Sequence, residues 1–481
     1  MKRRIAIFAN AWSGAFIEEV YGGIAQEAKK DNTDIYLFVT FVSAWYKAVD
    51  NVVQLDLFRL PDLNDFDGAI VLANTFNTED EHKIAKELVE RAHEADIPIL
   101  SLEVRVEGAS FLGTENYKGM YDLTKHLITQ HEVRDVVYMT GVEGNPEDAE
   151  RRRAVSDALK EYGLEIRDVI PGDFGYYVAE ENIRHWIEDG KELPDAFICA
   201  NDLEAIGTSA ALQNHGYEVP WDVIVTGFDK IKESKMTYPM LSTVTRDWET
   251  VGREAYRTII MQAGKPDPNY SKIFQSRFVP SESCGCMPTA EEERYRNKMV
   301  RNMYVSSTDE VLLDGFFQAL RISLDQVMSK EDIYNIGSDI LQGNTNFLGP
   351  DMAICTEPDF FSAPDKVIKK TIRDRYSKEM DVLFQKINKK KQPQIKFESQ
   401  TLIPRFEENP NSSDVYMFVP LQFQEYVIGY AVCKNDLKML FEKRLYRWLI
   451  NMSALLMSLR RNIGHKIVMD KYEALKEDNK D

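Results

Sequence analysis

Residues 194–229, PDAFICANDLEAIGTSAALQNHGYEVPWDVIVTGFD, decide the fold. AFICA (196–200) is an apolar run too short for a helix, bounded by Pro194 and by the polar pair Asn201-Asp202, so it reads as a buried parallel strand. LEAIGTSAALQNHG (203–216) carries apolar residues at helical spacing and stops at Gly216, the residue type that closes helices in the left-handed conformation. VIVTGF (223–228) is a second buried strand. A parallel pair needs a crossover of about a dozen residues, which the helix supplies. Asn201 and Asp229, just past the two strand ends, are then expected on the carboxyl edge of one sheet, where open α/β sheets bind ligands.

The same alternation runs outward in both directions. RIAIFAN (4–10), IYLFVTF (35–41), DGAIVLA (67–73), IPILSLE (97–103), DVVYMTG (135–141) and RDVIPGDF (167–174) read as strands, with amphipathic helices between them. KIFQSRFVPSES (272–283) reads as a returning strand. Two doubly wound α/β lobes account for this pattern better than one sheet of ten or more strands. The chain is expected to pass between lobes near 104–112, again near 230–245, and again near 275.

With 481 residues the chain is too long for one core, and two or three domains are expected. The net charge of −19 argues against this chain gripping nucleic acid by itself, since phosphate binding needs clustered Lys and Arg. MKRRIAIFANA superficially resembles an export signal. Its apolar core, IAIFA, is shorter than the roughly 7–15 residues a signal requires, so it reads as the first strand. No run of about 18 apolar residues exists, which leaves no membrane-spanning segment. Five cysteines, an odd number spread along the chain, suit a reducing cytoplasm, and a cytoplasmic location is expected.

The runs DGAIVLA, IPILSLE, FLGTENYKGMYDLTKHL, VVYMTG, RRRAVSDAL, PDAFICANDLEAIG, VPWDVIVTGFD and PMLSTVTRDWETVGREA, taken in order, resemble the effector-binding domain of the lactose-repressor (LacI) family, a type 1 periplasmic-binding-protein fold. The resemblance covers residues 1–283 and implies lobe 1 over about 1–108 and 240–283, and lobe 2 over about 109–239. Repressors of that family carry an N-terminal helix-turn-helix, and here the first strand begins at Arg4. The sequence also departs from the family at Lys230, where a second acid usually follows GFD, and in TENYKG, where Glu115 holds the usual Asp position.

Residues 284–307 are charged and helix-prone and read as a connector. From 308 to 440, two helices, the strand DMAICTE, a basic stretch and the hairpin MFVPLQFQEYVIGYAVC resemble a GAF-type sensory module of α+β class. Residues 441–481 read as a C-terminal helix. Leu445, Leu449, Met452, Leu456, Leu459, Ile463 and Ile467 form a seam that suits a partner helix in a homodimer. Packing of 441–456 on its own domain is the competing reading.

Eight residues are candidates for ligand binding. Asn201 and Asp229 match the family positions that hydrogen-bond the effector, and their chemistry suits a polyol or a ring with donors; helix capping by Asn201 or Asp202 is the alternative. Arg153 falls where the family's pocket arginine falls, against the alternative of a solvated Arg151-Arg152-Arg153 run. Asn10, Trp12 and Phe16 follow the first strand, where an aromatic face could stack on a sugar. Glu103 and Phe174 sit past other strand ends. Trp45 and Tyr46 read as core.

Cys284-Gly-Cys286 supplies half of a tetrahedral metal site, and no second Cys or His pair follows at finger-like spacing, so no metal is expected. No nucleophile elbow, phosphate-binding loop, zincin motif or GGDEF is present, and neither an enzyme activity nor a cofactor is expected. The Ser-Cys-Gly-Cys junction resembles that of clostridial sensors which join LacI-like lobes to a GAF-like module and a diguanylate cyclase. The expected function is a cytoplasmic sensor that takes a sugar-like or nucleoside-like effector between two lobes and signals to a cyclase outside this chain. The alternative is a LacI-like transcriptional regulator without its own helix-turn-helix.

Overall fold

Strands form where short β-branched and aromatic runs lie between turn residues. A computed structural model describes residues 2–11, 14–42, 53–300, 351–362, 376–388, 390–402, 413–423, 426–434 and 443–478, with Gly315 and Gln318. Apart from Gly315 and Gln318, the helices expected over 309–342 lie outside these, as do the aromatic residues Trp12, Trp45 and Tyr46. The chain divides into one unit of Met1–Leu112, Trp248–Lys272 and Asp309–Asp481, and a second of Gly113–Asp247 with Ile273–Thr308.

In the first unit, β1 (Arg4–Asn10), β2 (Asp34–Thr40), β3 (Gly68–Val71), β4 (Ile99–Leu102) and β5 (Ser110–Thr114) are parallel, in the order β5-β4-β3-β1-β2. Every residue from Ile5 to Asn10 is buried, as expected of a parallel strand covered on both faces. The helices Gly14–Lys30 and Trp248–Gln262 approach closely through glycine. A Cβ added at Gly23 would sit 2.0 Å from the Glu249 carbonyl oxygen, and one at Gly252 1.9 Å from that of Val20. Strand β5 escaped the sequence reading, because SFLGT has neither length nor alternation.

The second unit holds β6 (Val136–Thr140), β7 (Ile166–Pro171), β8 (Ala196–Cys199), β9 (Ile224–Phe228) and β10 (Ser242–Thr245), in the order β10-β9-β8-β6-β7. These five are parallel, and β8 and β9 pair from Ala196↔Ile224 to Ile198↔Thr226, as the opening stretch predicts. The expected returning strand is two. β11 (Ser271–Phe274) borders the first sheet beside β5, and β12 (Arg277–Val279) lies antiparallel to β10.

Toward the C-terminus come β13 (Asp351–Thr356), β14 (Glu379–Ile387), β15 (Lys390–Gln392), β16 (Ile395–Glu398), β17 (Val415–Phe423) and β18 (Tyr426–Lys434). A GAF-like domain is expected over 308–440; within that stretch β17 lies parallel to β2, from Val415↔Ile35 to Phe418↔Phe38, and the first sheet continues through it. Asp414 closes the junction, its N–H donating to Asp34 Oδ1 at 2.7 Å and its carbonyl accepting from Ile35 at 2.9 Å. Three stacked rings cross the seam, with Phe8 5.2 Å from Phe38 and Phe38 4.7 Å from Phe418. One hydrophobic core therefore runs from Phe8 to Tyr430.

The terminal helix, Lys443–Asp478, changes character midway. Trp448, Leu449, Met452, Leu455, Leu456, Leu459 and Ile463 are buried within this single chain, whereas Val468, Met469, Tyr472 and Leu475 are exposed. Most of the seam assigned to a partner helix is thus spent inside the chain. Among the described residues no helix is long and apolar enough to cross a membrane.

Candidate functional site

The carboxyl edge of the second sheet gathers the charged groups. Asn145 caps the helix Pro146–Lys160, its Oδ1 accepting from the amides of Glu147 and Asp148 at 2.9 and 3.1 Å. The stripe that this start turns inward is Asp148, Arg151, Ala154, Val155, Ala158 and Leu159. Arg151 is accordingly 2% exposed. Its Nε and Nη2 donate to Asn116 Oδ1 at 3.0 and 2.8 Å, Nη1 to the Ala200 carbonyl at 2.8 Å, and Nη2 also to Glu147 at 2.7 Å. The guanidinium lies 3.9 Å from the Phe228 ring centre. Burial lowers its pKa, and the nearby Asp229 carboxylate works against that shift.

Asp229 and Arg246 come from the ends of the neighbouring strands β9 and β10. Arg246 Nη2 donates to Asp229 Oδ1 at 2.6 Å, and its Nη1 lies 3.5 Å from the Glu147 carboxylate that also takes Arg151. The cluster is two guanidiniums against two carboxylates, opening to solvent through Glu147 and Asp229, whose side chains are 41% and 24% exposed. Five residues at this edge that are not glycine adopt positive φ: Asp173, Phe174, Asp229, Lys230 and Asp247. Such conformations cost free energy and concentrate at functional sites.

Buried acids hold that backbone in place. Asn201 caps the helix Asp202–Asn214, with Oδ1 accepting from the Glu204 amide at 2.9 Å, while its Nδ2 donates to the Phe174 carbonyl at 3.1 Å. Glu204 accepts from the Phe174 amide at 2.8 Å, so the two side chains grip one left-handed residue at both ends. Burial pushes the Glu204 carboxyl up to about 7. Asp202 is fully buried and accepts from Thr243 Oγ1 at 2.5 Å and from the Ile231 amide at 2.8 Å, fixing the loop that follows Asp229. Burial pushes its carboxyl up to about 8, against the hydrogen bond from Thr243.

The expected residues are therefore distributed unequally. Asp229 and Phe174 stand in the cluster, and Asn201 acts as a cap that positions Phe174. Arg153 points outward, 63% exposed, 3.8 Å from Glu150 and over the Tyr117 ring. The inward arginine is Arg151, two residues earlier. Helical periodicity carried that signal, because 151 is three before Ala154 and four before Val155. In the first unit, Asn10 is fully buried, with Nδ2 donating to the Val42 carbonyl at 2.7 Å and to Glu81 at 2.6 Å. Phe16 packs edge-on against Trp248 at 4.7 Å, and Glu103 is a left-handed residue past β4. Trp12 is outside the described residues. Arg246, Glu147 and Asn116 were missed, since no short motif marks them.

Lys230, the departure from the family pattern, pairs with Glu292 at 2.9 Å on the helical stretch 290–300. Arg296 of the same stretch pairs with Glu282 at 2.9 Å. The expected absence of a metal site meets a counter-observation in this unit: His126, His131, Cys284 and Cys286 place their ligand atoms within 4.8 Å of one another.

Residues 124–284 match the periplasmic binding protein-like domain family. The HTH-type transcriptional regulator RegA of Clostridium saccharobutylicum is 28% identical over 209 residues, 41% of this chain and 60% of RegA. The HTH-type transcriptional repressor PurR of Vibrio campbellii is 25% identical over 280 residues, 57% of this chain and 78% of PurR. This chain thus spans about three-fifths of RegA and nearly four-fifths of PurR. Among solved structures, the CelR–cellobiose complex is 21% identical with a TM-score of 0.47, covering 59% of this chain and 85% of that one. A LacI transcriptional regulator from a Rhodococcus species is 20% identical with a TM-score of 0.48, covering 60% and 100%. The relatives named are transcriptional regulators, and the stretch of this chain over 124–284 is similar to a periplasmic binding protein-like domain.

Proposed function

We propose that this chain is the sensing part of a ligand-responsive transcriptional regulator, and that Asp229, Arg246, Glu147 and Phe174 receive a small polar effector of the sugar or nucleoside class. One observation carries the reading: Asp229 and Arg246 pair at 2.6 Å just past two adjacent parallel strands, beside a buried arginine and an exposed glutamate. Such a cluster exchanges internal ion pairs for bonds to a ligand. Paired hydroxyls donate to a carboxylate, and a ring oxygen or carbonyl accepts from a guanidinium. The phenyl face of Phe174 covers an apolar ring edge.

The relatives support regulation of transcription as the output. With a net charge of −19, DNA contact falls to a partner or a segment outside this acidic surface. Cytoplasmic location follows from that role, and the exposed stripe Val468, Tyr472 and Leu475 offers a homodimer contact. The second reading, a sensor for a diguanylate cyclase, is favoured by the 36-residue terminal helix, half of it exposed.

Isothermal titration of the full chain against mono- and disaccharides, nucleosides and purine bases tests the binding reading. Saturable heat that disappears in Asp229→Ala is expected. Silence across that panel with folded protein would overturn it.

A further inference from the structure

His126 lies within the helix Tyr117–Gln130, about one turn before its end, and His131 is the residue that caps it. Because His131 lies beyond the helix end, the two rings meet despite a spacing of five, with Nε2 atoms 3.1 Å apart. Cys286 Sγ lies 3.4 Å from each of these nitrogens. Cys284 completes the set, all four ligand atoms lying within 4.8 Å of one another. A tetrahedral zinc ion, with Zn–N of about 2.0–2.1 Å and Zn–S of about 2.3 Å, separates nitrogens by roughly 3.3 Å and nitrogen from sulfur by roughly 3.6 Å. The His126–His131 and His–Cys286 spacings match these within a few tenths of an ångström.

The two thiols are aimed by their backbone. Gly285 takes φ +90°, its N–H donating to the Glu282 carbonyl at 2.9 Å, and this left-handed turn lets both neighbours face the imidazoles. The Cys284 amide donates to Ser242 Oγ at 3.1 Å, and the Cys286 amide to the Ser281 carbonyl at 3.1 Å. Cys284 is 1% exposed and belongs to the hydrophobic core of the unit, while Phe278 packs 5.0 Å from the His126 ring.

We propose that His126, His131, Cys284 and Cys286 form a structural zinc site. Two thiolates and two imidazoles in a tetrahedron select zinc over the harder cations, and four protein ligands leave no position for water or substrate. The ion would fasten the end of the helix Tyr117–Gln130 to the turn at 282–286. From that turn the chain enters 290–300, which Glu292 and Arg296 hold to the same unit. A zinc ion there fixes the direction in which the chain leaves the ligand-binding unit. The sequence showed only the Cys pair because its partners precede it by more than 150 residues instead of following it.

The test is metal analysis of the full chain purified under reducing conditions, followed by cobalt substitution of the chelated protein. One zinc ion per chain, and a cobalt spectrum with visible ligand-field bands and thiolate charge transfer, are the expected results. Cys286→Ser and His126→Gln should each abolish the stoichiometric metal. Trace metal together with a featureless cobalt titration of reduced wild type would overturn the proposal, as would full zinc retention in both variants or a disulfide between Cys284 and Cys286 in the native chain. If the variants aggregate, the cobalt spectrum of the wild type decides alone.

Discussion

Arg246 donates to Asp229 across the ends of two neighbouring parallel strands, each residue one position past its strand, at 2.6 Å. An effector that bonds to either group must replace this pairing with bonds at least as good. Asp229→Ala and Arg246→Ala each remove a charge-assisted contact of about 1.5–3 kcal/mol, equivalent to a roughly 10- to 150-fold weaker Kd. Arg153→Ala, at an outward position, is expected to leave affinity unchanged. Titration calorimetry with whichever effector binds separates the two classes. Equal losses for Arg153 and Asp229 would contradict the site.

Arg151 should matter to stability before it matters to binding. Arg151→Leu leaves Asn116 Oδ1, the Ala200 carbonyl and one side of Glu147 without their donor. The expected cost is about 3–5 kcal/mol, because a buried charge network loses one member. Arg151→Lys keeps the charge and loses the planar fork, so it should fall between that variant and the wild type. Denaturant unfolding of the second unit measures both, and wild-type stability in Arg151→Leu would show the network to be idle.

Asp202 gives the unit a pH signature. Its carboxyl is raised from 3.8 to about 8 in the folded chain. Between those values the folded state holds a proton that the unfolded state has released. The contribution of Asp202 is therefore complete below about pH 4 and is lost as pH rises through about 8. The stability difference between wild type and Asp202→Asn should shrink steadily over that interval, as followed by thermal unfolding at a series of pH values. A difference independent of pH would show that the carboxyl titrates normally.

Lys230 connects the ligand edge to the chain's exit. Glu292 sits opposite at 2.9 Å with side-chain exposures of 21% and 11%. Lys230→Glu should release the stretch 290–300 by about 1–2 kcal/mol, a roughly 5- to 30-fold rise in amide exchange there. The exchanged pair Lys230→Glu with Glu292→Lys should restore protection. Hydrogen exchange read by mass spectrometry tells these apart, and unchanged exchange in the single variant would make the pair ornamental.

Much of the architecture was legible because parallel strands are short, apolar and separated by helices of fixed minimum length. AFICA and VIVTGF pair in the expected sense, and RIAIFAN and IYLFVTF begin the first sheet. What escaped depends on tertiary geometry. SFLGT is a strand only because β4 and β11 flank it, and β17 reveals nothing of its pairing with β2, since an alternating strand fits any open edge. At the site, Asp229 was visible from its place after a strand. Arg151 was obscured by two adjacent arginines, although the Ala154-Val155-Ala158-Leu159 stripe fixed which of the three turns inward. The His126–His131 pair was missed because its spacing belongs to a helix end and not to a finger.

The pairing of β2 with β17 has a consequence for biosynthesis. Ser413 and Thr33, hydrogen-bonded beside the seam, are 380 residues apart. On the ribosome, β2 therefore emerges long before the strand that covers it, with an open row of backbone donors and acceptors and the ring of Phe38 awaiting its partner. A nascent chain in that state is a substrate for chaperones and a template for mispairing with its siblings. The edge of β2 is therefore covered only once nearly the last strand has been translated.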